Sequence, residues 1–248
     1  LLLGSGQAQS RNMFRLLDPL SQRMMGVRTD MTGQVARISH TRLSNVERPL
    51  RLSYAGDVLR VKGTQLRPER QFKQVGAELI GTNTTEAYVE IILLGYEALK
   101  DAGVNNLSID LTVPLLVPVI LKELALEKEI SDLVRCALDA KNIGEIANIK
   151  GEIGTISRDL LKAAGPAEKS LKILRNIELP KKAREICDEL GKLIELLKKI
   201  KPELVITIDP GEYTGFEYQT GISFSLFASG VRGELGRGGR YLVNAECG

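Results

Sequence analysis

Histidine is almost missing from this chain: His40 stands alone in 248 residues. Multi-histidine metal sites are therefore excluded, and any Ser-His-Asp or Cys-His scheme would rest on that one imidazole. Tryptophan is absent, and five Phe and six Tyr offer few platforms for stacking nucleic-acid bases. The three cysteines, Cys136, Cys187 and Cys247, form no C-x-x-C pair. That argues against zinc ribbons and dithiol redox motifs and fits free thiols in a reducing, cytoplasmic compartment. Long apolar runs are missing too. The longest, Val113 to Leu121, is broken by Pro114 and Pro118 and is too short to span a bilayer. The opening Leu1-Leu2-Leu3-Gly4 lacks the charged start and apolar stretch of a signal peptide. No membrane association is expected.

What is present is an ordinary globular composition, with 43% hydrophobic and 26% charged residues. The formal charge of +3 hides an asymmetry. Residues 1–80 carry 13 basic against 6 acidic residues, and 11 of the 13 are arginine. Residues 121–200 carry 16 basic against 14 acidic residues, mostly lysine and glutamate. Arginine offers a planar fork for carboxylates and phosphates, whereas lysine is a solvated point charge. The first third thus reads either as an anion-gripping region or as a generic basic face.

Hydrophobic periodicity divides the chain into three zones. Residues 14–81 read as short strands around one helix, with a turn at Asp18-Pro19 and Thr32 as the helix cap. Gly56-Asp57 suggests a hairpin or bulge, and Gln71 to Leu79 a further strand. Thr84 or Thr85 is expected to cap a helix that ends near Gly103, followed by a strand over Leu107–Val113. Residues 115–200 read as helical. The clearest helix is Lys181–Ile200, where Ile186, Cys187, Leu190, Leu193, Ile194, Leu197 and Ile200 make one stripe. Cys187 on that stripe reads as a buried core thiol. Strands resume over Leu204–Ile208 and Tyr218–Phe227, and glycine-dense 233–239 reads as a tight sheet turn, because it lacks the Lys-Ser/Thr of a phosphate loop. The order predicts an α+β fold: an antiparallel sheet flanked by helices in 1–114 and 201–248, with a helical insertion subdomain at 115–200.

Polar residues on elements that ought to be buried mark the candidate site. In a strand Gln74, Gly76 and Glu78 share a face, so two polar side chains flank a glycine with open space above it. Such a floor suits a small polar ligand. Asp30, Gln74 and Glu78 could take an amino group, and Arg60 or Arg70 a carboxylate or phosphate. A solvated outer sheet face would carry the same residue types.

Five segments in order carry a more specific signal. They are Arg28-Thr29-Asp30-Met31-Thr32-Gly33-Gln34 with Ala36-Arg37; Gly56-Asp57-Val58-Leu59-Arg60; Arg70-Gln71-Phe72-Lys73-Gln74-Val75-Gly76-Ala77-Glu78-Leu79-Ile80-Gly81; Tyr218-Gln219-Thr220-Gly221; and Gly238-Gly239-Arg240-Tyr241. Together they resemble the catalytic core of class II aminoacyl-tRNA synthetases, in the histidyl branch. Lys62 stands where that branch carries the acid that helps hold the ATP purine, and Thr214 where it carries an arginine that acts on activated histidine. No anticodon-binding domain is expected to follow. The remaining pattern, including the 63–69 loop and Gly230–Gly236, is similar to the regulatory subunits of ATP phosphoribosyltransferase.

That resemblance implies a non-catalytic regulatory chain for the first step of histidine biosynthesis. It would pair with a short-form catalytic ATP phosphoribosyltransferase subunit, as a homodimer within a hetero-oligomer, with L-histidine as effector. No cofactor, metal or tRNA is implied. The histidine pocket would comprise Asp30, Thr32, Gln74, Glu78, Tyr218 and Gln219, with Arg60 and Arg70 binding an anion. The alternative is a catalytic-core fragment of a histidyl-tRNA synthetase. The motif order further predicts a core cut at both ends.

Overall fold

In the first part of the chain, exposed and half-buried residues alternate along two long strands, as expected for a ribbon with one covered face. The computed structural model describes residues 12–63, 68–212 and 219–242. The chain divides after Asn83 into two compact units, the second running from Thr84 to Leu242.

The first unit opens with a small antiparallel pair, β1 (Arg15–Leu17) and β2 (Met24–Gly26), joined through the expected turn. Helix α1 follows (Thr32–Thr41), then β3 (Leu50–Leu59) and β4 (Gln71–Ile80). β3 and β4 pair antiparallel in unbroken register, setting Leu52 opposite Glu78, Tyr54 opposite Gly76, Gly56 opposite Gln74 and Val58 opposite Phe72. The even-numbered residues form the covered face, and α1 buries Val35, Ala36 and Ser39.

Two local expectations are corrected in this unit. Gly56 makes no hairpin or bulge; β3 runs straight through it. It is glycine because other chain approaches: a Cβ there would stand 2.9 Å from Arg28 Nη2 and 2.9 Å from Met31 Sδ. Thr32 is not the cap of α1 but its first residue; Met31 occupies the cap position without a side-chain bond.

The second unit begins with α2 (Thr85–Asp101), whose Thr84 cap accepts a hydrogen bond from the Ala87 N–H at 3.3 Å. Its C-terminus closes where Gly103, at φ +88°, returns its N–H to Lys100 O. β5 (Leu107–Thr112) leads into the helical stretch: α3 (Leu116–Glu123), α4 (Lys128–Asp139), α5 (Ile143–Asn148) and α6 (Gly151–Ala163). After a two-residue strand, β6 (Gly165–Pro166), come α7 (Ala167–Asn176) and α8 (Lys181–Ile200). α8 has the bounds its apolar stripe predicts, and Cys187 is buried on it. The whole 115–200 stretch lies inside this second unit.

Strands β7 (Val205–Asp209), β8 (Gln219–Ala228) and β9 (Gly236–Tyr241) complete a five-stranded sheet in the order β6-β7-β5-β8-β9. The expected antiparallel sheet holds except for β5 and β7, which run parallel because the helical stretch is the crossover between them. The glycine-dense 233–239 segment is a strand from Gly236 onward rather than a turn. Gly238 lies opposite Phe224, and a Cβ on it would collide with that ring.

This sheet has two unlike faces. Ile109, Leu111, Ile206, Ile208, Ile222, Phe224 and Leu226 belong to one continuous apolar core shared with α2 to α8. The opposite face carries Asp110, Thr112, Thr207, Asp209, Ser223 and Ser225, with register neighbours Asp110–Thr207 and Thr112–Asp209. The α+β class follows from these elements: an antiparallel ribbon with a helix, and a mixed sheet whose apolar face packs on helices.

Candidate functional site

Three of the residues singled out from sequence converge in the first unit. Asp30 lies just before α1, and Gln74 is on the covered face of β4. Gln74 Nε2 donates to Asp30 Oδ2 at 3.1 Å, and Gln74 Oε1 accepts from the Met31 N–H at 2.9 Å. Asp30 Oδ1 accepts from the Thr32 N–H at 2.7 Å, so the aspartate supplies an acceptor at the helix start that Thr32 does not. The Thr32 side chain turns elsewhere, to Tyr54, with Oγ1 3.0 Å from Oη. The result is a half-buried carboxylate fixed from two sides by a side-chain amide and a backbone N–H.

Glu78 lies on the same face of β4, two positions beyond Gly76. The expected open space above Gly76 is not there. Tyr54 lies directly across the pair, and a Cβ on Gly76 would collide with its ring. The glycine accommodates an aromatic ring from the neighbouring strand.

Arg60 and Arg70 meet at the open end of the ribbon, where the Arg60 N–H donates to Arg70 O at 2.7 Å. The Arg60 guanidinium lies 4.8 Å from the centroid of Phe72, and its Nε donates to Thr29 O at 3.4 Å. Arg70 lies 5.7 Å from the centroid of Phe14. Each cation is thus held on an aromatic face, a contact that steers a guanidinium without neutralising it.

Gln219 belongs to the second unit. It is 3% exposed, and it accepts a hydrogen bond from the Ser223 hydroxyl. Gly239 leaves it room: a Cβ there would stand 2.5 Å from Gln219 Oε1. Tyr218 and Thr214 lie outside the described residues.

Sequence reasoning missed several polar groups in the second unit. Tyr88 on α2 lies against Gly221 and takes a backbone hydrogen bond from Ile222; burial and the nearby Glu189 push its phenol above its usual pKa. On the polar sheet face, Asp110 accepts from the Thr207 hydroxyl. Burial, with the charge of Asp209 adding to it, raises the Asp110 carboxyl. Asp209 pairs with Lys141 at 2.5 Å and accepts from the Gly211 N–H at 3.2 Å. Lys141 is raised, chiefly by that bond. Glu212 is raised by burial and by Asp209 and Asp110. The alternation of Ser108-Ile109-Asp110-Leu111-Thr112 was the available signal, with acid and hydroxyl on one face and aliphatics on the other.

His40 is exposed on α1. No helix among the described residues is long and apolar enough to cross a membrane.

Comparison with known proteins places these features. The chain is 52% identical over 241 residues to the ATP phosphoribosyltransferase regulatory subunit of Rhodospirillum centenum, covering 97% of this chain and 62% of that one. A crystal structure of an ATP phosphoribosyltransferase regulatory subunit/histidyl-tRNA synthetase from Bacillus halodurans superposes with TM-score 0.80 at 28% identity, over 93% of this chain and 61% of that one. The ATP phosphoribosyl transferase complex from Thermotoga maritima shares the fold, with TM-score 0.72 at 21% identity over 93% and 81% of the two chains. The chain spans somewhat under two thirds of the length of the curated relatives it matches. The class II synthetase-like fold expected from the motifs is therefore the fold observed. A model of the histidyl-tRNA synthetase family matches residues 1–248, motifs and intervening helices alike: the chain belongs to the histidyl-tRNA synthetase family.

Proposed function

We propose that this chain is the non-catalytic regulatory subunit of an ATP phosphoribosyltransferase, acting in the cytoplasm at the first step of histidine biosynthesis. Its partner is a short-form catalytic subunit, its assembly a homodimer within a hetero-oligomer, and its effector L-histidine. The observation that carries this is the Asp30–Gln74 pair. A half-buried carboxylate braced by an amide and a backbone N–H is built to receive an α-ammonium group. Asp30, Thr32, Gln74 and Glu78 hold the amino-acid ligand, and Arg60 and Arg70 attract its carboxylate or another anion. The ligand contacts assigned to Tyr218 and Gln219 are tested by their own substitutions. The helical stretch 115–200 is an inserted subdomain of the synthetase-like core.

Lys62 favours this reading over a synthetase fragment. An ammonium two residues after Arg60 reverses the charge the resemblance expects beside the ATP purine. The similarity to relatives named as regulatory subunits supports the same choice. Histidine regulates only if it prefers one state of the assembly over another. The test is twofold. Adding the chain to a short catalytic subunit should raise its phosphoribosyltransferase activity, and histidine should lower it again. Histidine-dependent ATP–pyrophosphate exchange by the chain alone would instead establish the synthetase alternative.

A further inference from the structure

We propose that Tyr54 is a gate on the polar floor of β4, and that a ligand reaches Gln74 and Glu78 only when the Tyr54 ring moves aside. The gate deepens the histidine-site reading above and rests on it.

The floor consists of Gln74, Gly76 and Glu78 on one face of β4. Gly76 is the one position in that row with no side chain, so it is where a small ligand would find room between the two polar groups. Tyr54 fills that room. It stands opposite Gly76 in the strand register, and its ring and hydroxyl occupy the space a Cβ on Gly76 would need. At the next step along the ribbon, Met31 and Arg28 close over Gly56. The polar groups nearby are turned toward one another: Asp30 to Gln74 and the Thr32 N–H, and Gln74 to the Met31 N–H. The face is therefore in a closed arrangement, polar but covered.

The cover is latched. Tyr54 Oη lies 3.0 Å from Thr32 Oγ1, and Thr32 is the first residue of α1. Moving the ring off Gly76 breaks this bond. Opening the floor thereby frees the hydroxyl at the start of α1, beside the Asp30 acceptor that holds the same turn. Ligand occupancy is coupled in this way to the first turn of a helix, a discrete change that a partner subunit can sense. A closed gate also weakens apparent affinity by the fraction of time it stands open, so loosening the latch should tighten binding.

Isothermal titration of the full chain with L-histidine tests this, comparing wild type with Tyr54→Phe and Tyr54→Ala. Phe keeps the ring and removes the latch; Ala removes both, with circular dichroism checking its fold. Removing one hydroxyl–hydroxyl bond should tighten histidine binding about threefold to tenfold in Tyr54→Phe, with Tyr54→Ala at least as tight. Binding by the variants alone would also support the gate. Wild-type binding that is unchanged or weakened in Tyr54→Phe overturns the gate and leaves the histidine site standing. Failure of all three chains to bind overturns the histidine site, and the gate with it.

Discussion

Asp30 and Gln74, forty-four residues apart, join the start of α1 to the middle of β4 through a 3.1 Å hydrogen bond. Because Asp30 also accepts from the Thr32 N–H, the same carboxylate closes the first turn of the helix and orients the amide on the strand. The proposed ligand site and a helix terminus thus share one side chain.

Asp30→Ala should therefore change stability as well as binding. It leaves the Thr32 N–H and Gln74 Nε2 without their acceptor, at a cost of about 1–2 kcal/mol in urea unfolding. Asp30→Asn keeps an acceptor for the Thr32 N–H, so its cost should be smaller. Both changes should weaken histidine binding at least about tenfold if the carboxylate receives the ammonium. An Ala variant as stable as wild type would show that the helix start does not depend on Asp30.

The polar face of the second unit predicts a pH dependence. Asp110 and Glu212 are raised by burial and by the charge of Asp209. A carboxyl whose folded pKa exceeds its unfolded value holds its proton longer when folded. Its contribution favours the fold below the unfolded pKa of about 4, and is lost as pH rises through the raised folded value. Asp110→Asn keeps an oxygen for the Thr207 hydroxyl and removes the charge facing Asp209. Urea midpoints should rise relative to wild type at neutral pH and converge near pH 4. Lys141 works with the opposite charge at the other end of the scale. Its raised pKa contributes stability that is present at neutral pH and lost as pH rises through its folded value, above the usual lysine range.

How far the sequence foretold this molecule depended on whether a feature is local. α8 declares itself by a twenty-residue apolar stripe between prolines, and α2 by Thr84 at one end and Gly103 at the other. Asp30 and Gln74 were legible as members of motifs. Tyr54 was not, because its role depends on the β3–β4 register. The connection from Arg60 to Arg70 is too long to dictate that register as a two-residue turn would. The same reason hid the Gly56 contact with Arg28 and Met31, which made a straight strand read as a bulge. The polar sheet face needed Asp110, Thr207 and Ser225, nearly a hundred residues apart in places, to be aligned by a parallel and an antiparallel pairing at once. Thr32 misled for a different reason: the acceptor at the helix start came from Asp30 instead.

Gly221 should be intolerant of alanine for a nameable reason. A Cβ there would collide with the Tyr88 hydroxyl and stand 3.3 Å from Tyr88 Cζ. Gly221→Ala should cost about 1–3 kcal/mol, as overpacking does. Tyr88→Phe removes the colliding oxygen, so the double variant should recover most of that loss. Urea unfolding of the four-member cycle reads the coupling. Additive effects would mean that Tyr88 does not set the constraint.

The two thiols in the described residues should differ sharply in reactivity. Cys136 is exposed on α4, whereas Cys187 is buried on α8 and burial pushes its thiol up to about 11. At pH 8 only about one Cys187 in a thousand would be thiolate even if reagent could reach it. Titration of the native chain with a thiol-reactive chromophore should therefore label Cys136 and spare Cys187. Cys247 lies outside the described residues, so the assignment is read by difference. Cys136→Ser should remove a fast native phase, while Cys187→Ser should leave the native time course unchanged and remove one equivalent only in urea. The serine at 187 places a hydroxyl in the apolar stripe of α8 and should cost about 1–3 kcal/mol. Rapid labelling of Cys187 in the native chain would mean that the thiol is reached through the groove between α7 and α8 that it lines, or by local opening of α8.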